Sequence, residues 1–262
     1  MDLGIRGRKA IVNGGSAGIG RSSALALARE GVELFISARN EERLLRSCEA
    51  MTTETGAKIT PIVADHSTAA GREKILSACP EPDILVGTAS PPPFTDDYHA
   101  ITVDDWRSTL DLTLMSPVQF IQATIDGMVE RGWGRIVNIS TGAAKYPNPL
   151  RILSGPPRAA LANYCGAMAK QVAKFNVTIN TVLPIMHHTD GIRSILEERG
   201  AVHGRSYDEE VAELIRTMPI PAGKFGNADD TGAFVALFCS EFANYVTGQS
   251  LVIDGGASNS IF

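Results

Sequence analysis

Short apolar runs alternate along the chain with longer stretches in which apolar residues recur every third or fourth position. The first kind reads as buried strand and the second as amphipathic helix. Ala10-Ile11-Val12 predicts a first strand, followed by the glycine-rich stretch Asn13 to Gly20 and a helix from Arg21 to Glu30 that stops at Gly31. Strands follow at Glu33–Ser37, Ile59–Ala64 and Asp83–Val86. Between them lie a helix from Glu41 to Thr55, capped by Asn40 and closed by Gly56, and one running to about Ala78. Val103 to Arg131 predicts one long helix with Thr102 or Asp104 near its start, and Gly134–Thr141 a fifth strand. A helix over Pro156 to Phe175 and a strand over Val177–Val182 come next. Then follow a charged helical region from Gly191 to Met218, a turn at Pro219–Gly226, a helix capped by Asn227 or Asp229 and ending at Cys239, and a last strand with its glycine turn within Val246–Gly256. Strands alternating with helices predict a doubly wound parallel α/β sheet. No repeat, linker or low-complexity segment interrupts it, so residues 1–262 are expected to form a single domain.

The length of 262 residues suits one such domain. A formal net charge of −5 without any basic block argues against nucleic acid or an anionic membrane as the main partner. No apolar run approaches the roughly 20 residues of a membrane span, and Met1 to Arg6 lacks an apolar core of signal-peptide length. The cysteines, Cys48, Cys79, Cys165 and Cys239, contain no C-x-x-C pair, so neither a metal site nor a disulfide framework is expected. The profile is cytoplasmic, with a small molecule as substrate.

In doubly wound sheets ligands sit at the carboxyl ends of the strands, so the residues just after each strand carry the chemistry. After the first, Gly14, Ser16, Gly18, Ile19 and Gly20 form a turn that opens a helix. Such a turn lets backbone N–H groups and the helix dipole meet a phosphate. After the second comes Arg39, where an acid would hold the 2′-hydroxyl of NAD and an arginine suits the 2′-phosphate of NADP; NADP(H) is therefore favoured over NAD(H). Asp65 and His66 follow the third strand, and Asp65 reads equally as a helix cap.

The spacing Gly14-x-x-x-Gly18-x-Gly20 resembles the cofactor loop of the short-chain dehydrogenase/reductase family, with Asn13 in place of the usual Thr. Gly134–Thr141 is similar to the stretch of that family that ends in the catalytic Ser, here Ser140. Val177–Val182 is similar to its VxVNxVxPG segment, which continues into Leu183 and Pro184, and the likeness runs from Gly4 to Gly256. The resemblance implies a Rossmann-like fold and assigns several ligand contacts. Asp65 would accept from the adenine amino group, Ala89 and Pro184 would line the nicotinamide side, and Thr189 would reach the nicotinamide amide or the diphosphate. It also implies a lid over about 190–220 and a homo-oligomer, dimer or tetramer. The chain departs from the family at three places. Gly87-Thr88-Ala89-Ser90 replaces Asn-Asn-Ala-Gly, Thr113 stands where an Asn holds a proton-relay water, and Ile185 replaces the Gly of Pro-Gly.

The family's Tyr-x-x-x-Lys is missing, and two registers compete for its place. Tyr164 is followed by Met168 at the fourth position, and Lys170 lies about 240° further round a helix, so the two would not share a face. Its place in an apolar stripe with Leu161, Met168 and Val172 reads as core. Ser154 and Arg158 keep the family's distance from Ser140 and share one helix face. Arg158 would hold a ribose hydroxyl or phosphate, while Ser154, just before Pro156 and Pro157, reads equally as an N-cap. The expected catalytic set is Ser140, Ser154 and Arg158, with the proton donor open among Ser154, a water, Tyr146 and His188. His187 and His188 read either as acids facing the site or as ordinary loop residues.

These residues imply NADP(H)-dependent reduction of a carbonyl, or oxidation of a secondary alcohol. Two alternatives stand beside it: a lyase performing retro-aldol or dehydration chemistry without net redox change, and a nucleotide-binding protein with little catalysis.

Overall fold

The computed structural model describes every residue except Pro93, Thr95, Asp96, Pro219 and residues 259–262. One member of the triple-proline loop and the first residue of the Pro219–Gly226 turn therefore lie outside the described residues.

The elements run β1 (Lys9–Asn13), α1 (Gly18–Arg29), β2 (Glu33–Ala38), α2 (Glu41–Thr55), β3 (Ile59–Val63), α3 (Ala69–Ala78), β4 (Ile84–Thr88), α4 (Val103–Leu110), α5 (Ser116–Glu130), β5 (Gly134–Ile139), α6 (Gly155–Val172) and β6 (Val177–Pro184). They continue with β7 (His187–His188), α7 (Asp190–His203), α8 (Tyr207–Thr217), β8 (Gly226–Asn227), α9 (Ala228–Phe238) and β9 (Ser250–Ile253). Seven strands form one parallel sheet in the order β3-β2-β1-β4-β5-β6-β9. This is the Rossmann-like architecture the alternation predicts.

Successive strand residues point to opposite faces, and the core divides accordingly. Val12, Ile36, Val86, Val137 and Val182 pack with Leu25 and Leu27 of α1, Leu44 and Met51 of α2, and Val235 of α9. Their neighbours Ile11, Leu85 and Ile136, with Ile179, pack on the other face with Ile75 of α3, Phe120 and Ile125 of α5, and Leu161 and Cys165 of α6. Tyr164 and Met168 lie against this second cluster.

Local chemistry sets the boundaries. Asn40 accepts from the Arg43 N–H at the start of α2, and Gly56 ends that helix at φ 70°. Thr102 and Asp105 form a capping box on α4. The helix expected over Val103 to Arg131 is not continuous. A π-helical turn, Asp111–Met115, separates α4 from α5. In it Thr113 gives its hydroxyl proton to the Thr109 carbonyl, at 2.6 Å. Such a side-chain bond offers the backbone an alternative to the regular helical ladder, and π-turns of this kind concentrate at functional sites. α7 and α8 pack on each other through Leu196 and Leu214 with Ile220 and Phe225. They are joined to the main body beside a small parallel pair, β7 with β8.

Candidate active-site cleft

A cleft of about 950 Å³ runs across the carboxyl ends of the strands. Volumes of several hundred Å³ are what small-molecule and cofactor sites require. At one end lies the turn between β1 and α1. The N-cap of α1 is Ala17, with extended backbone and no side-chain cap, so no side chain satisfies the first N–H groups of the helix. Gly14 has φ 70°, and a Cβ on Gly20 would strike the Gly14 carbonyl oxygen; the turn closes only because both are glycine. Ser16, Gly18 and Ile19 complete this wall.

Arg39, Asn40 and Arg43 flank the same end. Asp65 is not a wall residue. Its carboxylate accepts from the Ser67 N–H and hydroxyl, at 2.9 and 2.7 Å, and stands 4.0 Å from Arg39 Nη1. The Ser67 bonds and the Arg39 and His66 charges hold it below the usual carboxylate range despite its partial burial. Asp65 caps no helix, since α3 takes its N-cap from Thr68. His66 does line the cleft. Ser116 spends its one hydroxyl proton on the His66 carbonyl (2.7 Å), so the His66 Nδ1, 2.9 Å from the same Oγ, must be the donor there. Burial pushes the His66 pKa down.

The other end gathers Ser140, Ser154, Arg158, Tyr146 and Arg151. The Ser140 Oγ is buried without a hydrogen-bond partner, and a buried polar atom of this kind calls for an explanation. Ser154 stands at the N-cap position of α6 that its sequence context allows, but it does not cap. Its backbone is αR and its side chain makes no capping bond. Instead Arg158 Nη1 donates to Ser154 Oγ at 2.9 Å, one helical turn away, and Arg158 Nη2 donates to the Ala89 carbonyl at 3.1 Å. Arg158 is 4% exposed. Desolvation, with the Arg151 charge nearby, lowers its pKa to about 10. Behind Ser140 lies a cavity of about 20 Å³ bounded by Thr113, Asn138, Leu161 and Arg158, room for a single water.

Pro184 and Thr189 also line the cleft. Thr189 is the N-cap of α7 and accepts from the Ile192 N–H at 3.2 Å. A Cβ on Gly18 would lie 3.4 Å from its side chain, so the start of α7 rests over the glycine turn.

Both histidines are held by neighbours, although His187 lines the cleft. His187 is 5% exposed, its Nδ1 2.8 Å from the Ile185 carbonyl and its Nε2 2.8 Å from Thr231 Oγ1. His188 is outside the cleft lining, held 2.8 Å from the Tyr207 hydroxyl and against the Phe225 ring. Tyr164 is in neither wall; its hydroxyl is buried without a partner and burial raises its pKa.

Sequence reasoning misses Arg151, Arg43 and Asn148. Arg151 sits in a single 3-10 turn, Pro149–Arg151, between Asn148, which caps the turn, and Ser154. Its only signal in the sequence is the three-residue spacing to Ser154. Among the described residues no group of three or more histidine, cysteine or acidic side chains is arranged to hold a metal ion. None of the helices they form is long and apolar enough to cross a membrane.

The family described as enoyl-(acyl carrier protein) reductase matches residues 14–258. A 3-oxoacyl-(acyl-carrier-protein) reductase of Aquifex aeolicus is 28% identical, over 98% of this chain and 99% of its own. An NADPH-dependent reductase of Bacillus subtilis is 29% identical, over 97% and 99%. In fold, the chain superimposes on L-sorbose reductase of Gluconobacter frateurii with a TM-score of 0.94 at 24% identity, all of both chains being covered.

Proposed function

Because the chain belongs to the short-chain dehydrogenase/reductase family, we propose that it is an NADP(H)-dependent reductase of carbonyl compounds, or in reverse a dehydrogenase of secondary alcohols. The observation that carries this is the single cleft uniting an uncapped helix N-terminus with an orphaned serine hydroxyl beside a buried guanidinium.

The donor set fits a dinucleotide. The free N–H groups at the start of α1 suit a diphosphate, and Arg39 and Arg43 at the same end suit a 2′-phosphate better than a bare hydroxyl. Named relatives point the same way, the Bacillus subtilis protein being NADPH-dependent. Ala89, Pro184 and Thr189 would hold the nicotinamide end, with Asp65 acting on Arg39 rather than on the adenine. A bound nicotinamide would supply the hydride to the carbonyl carbon, or accept it back.

The side chains do the rest. Ser140 donates its unused hydroxyl to the carbonyl oxygen. Arg158 places a fixed positive charge where the alkoxide develops, in a site shielded from water. Ser154 accepts from Arg158 and so keeps its own O–H free to give to that alkoxide. The guanidinium makes the serine a better donor than it is in water, and solvent reprotonates it. Tyr146 is the remaining candidate on the cleft wall. Exposed Phe234, Leu237, Phe242 and Tyr245, around α9 and the approach to the edge strand β9, supply an apolar face for a homo-oligomer.

A fluorescence titration with NADPH, NADH alongside, tests the reading. We expect micromolar or tighter binding with NADPH preferred, and NADPH consumption equal to alcohol formed on a carbonyl panel. Failure to bind either nucleotide overturns it. Product formation without nicotinamide turnover would instead establish lyase chemistry.

A further inference from the structure

The charge on the cleft wall is one-sided. Its lining contains Arg39, Arg43, Arg151 and Arg158 and, among the described residues, not one aspartate or glutamate, in a chain of formal net charge −5. Two of the four arginines stand beside the glycine turn, over β1 and β2. The other two stand on the far side, both on the stretch between β5 and β6. Arg158 reaches from α6 to the Ala89 carbonyl after β4. Arg151 donates to the Pro92 carbonyl at 3.2 Å and sits over the Phe94 ring, its Cζ 3.8 Å from the centroid. No carboxylate pairs with either among the described residues; their partners are neutral oxygens and a ring face.

A buried guanidinium is normally matched by an acid. Here the buried Arg158 feels the charge of the half-buried Arg151, and among the described residues no carboxylate opposes either. Burial alone takes Arg151 down to about 10, so both still carry their proton at neutral pH. Arg158 has already spent two of its five donors on Ser154 and Ala89. Arg151 has spent one, and the Phe94 ring lies against its guanidinium. Ser140, whose buried hydroxyl has no partner, lines the same end of the cleft. The missing counter-charge is thus located beside the reacting group and away from the uncapped helix that suits a diphosphate.

We infer that the substrate brings the missing charge itself: it is a small carbonyl or hydroxy compound ending in an oxyanion, a carboxylate or phosphate ester, gripped by the Arg151 fork while its carbonyl faces Ser140. This rests on the dinucleotide reading for the direction of the cleft. It assigns Arg151 as the specificity-determining residue. Arg158 serves the reacting oxygen and lends its charge to the anion.

The test is calorimetric, on the full-length protein, with and without NADPH. The probes are 3-oxobutanoate against 3-oxobutanamide, and dihydroxyacetone phosphate against dihydroxyacetone. One anionic member should bind at least tenfold more tightly than its neutral partner, and the winning pair tells carboxylate from phosphate. Arg151→Gln should abolish that preference, Arg151→Lys should restore part of it, and neither should change the NADPH affinity. Equal binding of anionic and neutral members, or none, overturns the inference while NADPH binding leaves the reductase reading in place. Anion binding without NADPH binding keeps the inference and removes that reading. An anion preference that survives in Arg151→Gln also overturns it.

Discussion

Replacing Arg158 by methionine separates what this residue does for folding from what it does for binding. The charged side chain is 4% exposed, and burial lowers its pKa from 12.5 to about 10. That lowering corresponds to roughly 3 kcal/mol against the charged form in the folded chain at neutral pH. Opposing it are the two bonds to Ser154 and Ala89, each worth about 1.5–3 kcal/mol because the donor is charged. Methionine removes both contributions and fills much of the space with a flexible apolar chain. The net loss of stability is therefore small, about 0–3 kcal/mol. A bound dinucleotide or anion loses a charged donor with nothing in its place, about 1.5–3 kcal/mol or some tenfold to hundredfold in affinity. Urea unfolding and an NADPH titration on the same preparation measure the two quantities. A variant that lost more than about 4 kcal/mol of stability and yet bound NADPH and substrate as before would refute the reasoning and make Arg158 a purely structural residue.

Three further outcomes follow from other parts of the molecule. Tyr164→Phe should leave turnover unchanged and stability equal or higher by up to about 1 kcal/mol, since it deletes a buried hydroxyl that has no partner; a collapse of turnover in the folded variant would return Tyr164 to the active site. Glu210, fully buried, holds Arg199 at 3.0 Å, His203 at 3.0 Å and Arg205 at 3.3 Å. Glu210→Gln removes the charge that Arg199 and Arg205 share at a local cost of about 1 kcal/mol, both arginines being a third or more exposed, which hydrogen exchange should report as faster opening of residues 190–217 with β1, β4 and β5 unchanged. Burial raises Cys48 and Cys79 to about 11 and Cys165 and Cys239 to about 12, from 9.0. The unfolded chain thus releases thiol protons above pH 9 that the native chain keeps, so this contribution to stability is whole below pH 9 and falls as pH rises through 11. A thiol reagent at pH 8 should label none of the four until denaturant is added; rapid labelling of the native protein would contradict their burial.

The sheet and most helices are legible in the sequence because burial imposes a period, and period is what a sequence displays. The α2 limits, Asn40 to Gly56, follow from an N-cap and an αL glycine that both act within one turn. The break at Asp111–Met115 is not legible, because Thr113 acts through its bond to Thr109 and leaves the apolar spacing around it intact. The catalytic end of the cleft is legible only in part. Ser140, Ser154 and Arg158 sit at readable distances from strands, whereas Arg151 gains its meaning from Pro92 and Phe94, which lie far away in the chain. The departures from the family pattern also depend on one another. A Cβ on Gly142 would collide with the Ile185 side chain, so the isoleucine that replaces a glycine after β6 is accommodated by a glycine after β5. The following Met186 absorbs the turn at φ 31°. Arg158 finds its acceptor in Ser154, the residue we propose at the tyrosine's place, at 2.9 Å. Independent losses of function would leave such substitutions unmatched, as cavities, collisions or unsatisfied donors. Here Ile185 and Ser154 each meet a partner that fits, as the proposed site around a guanidinium requires.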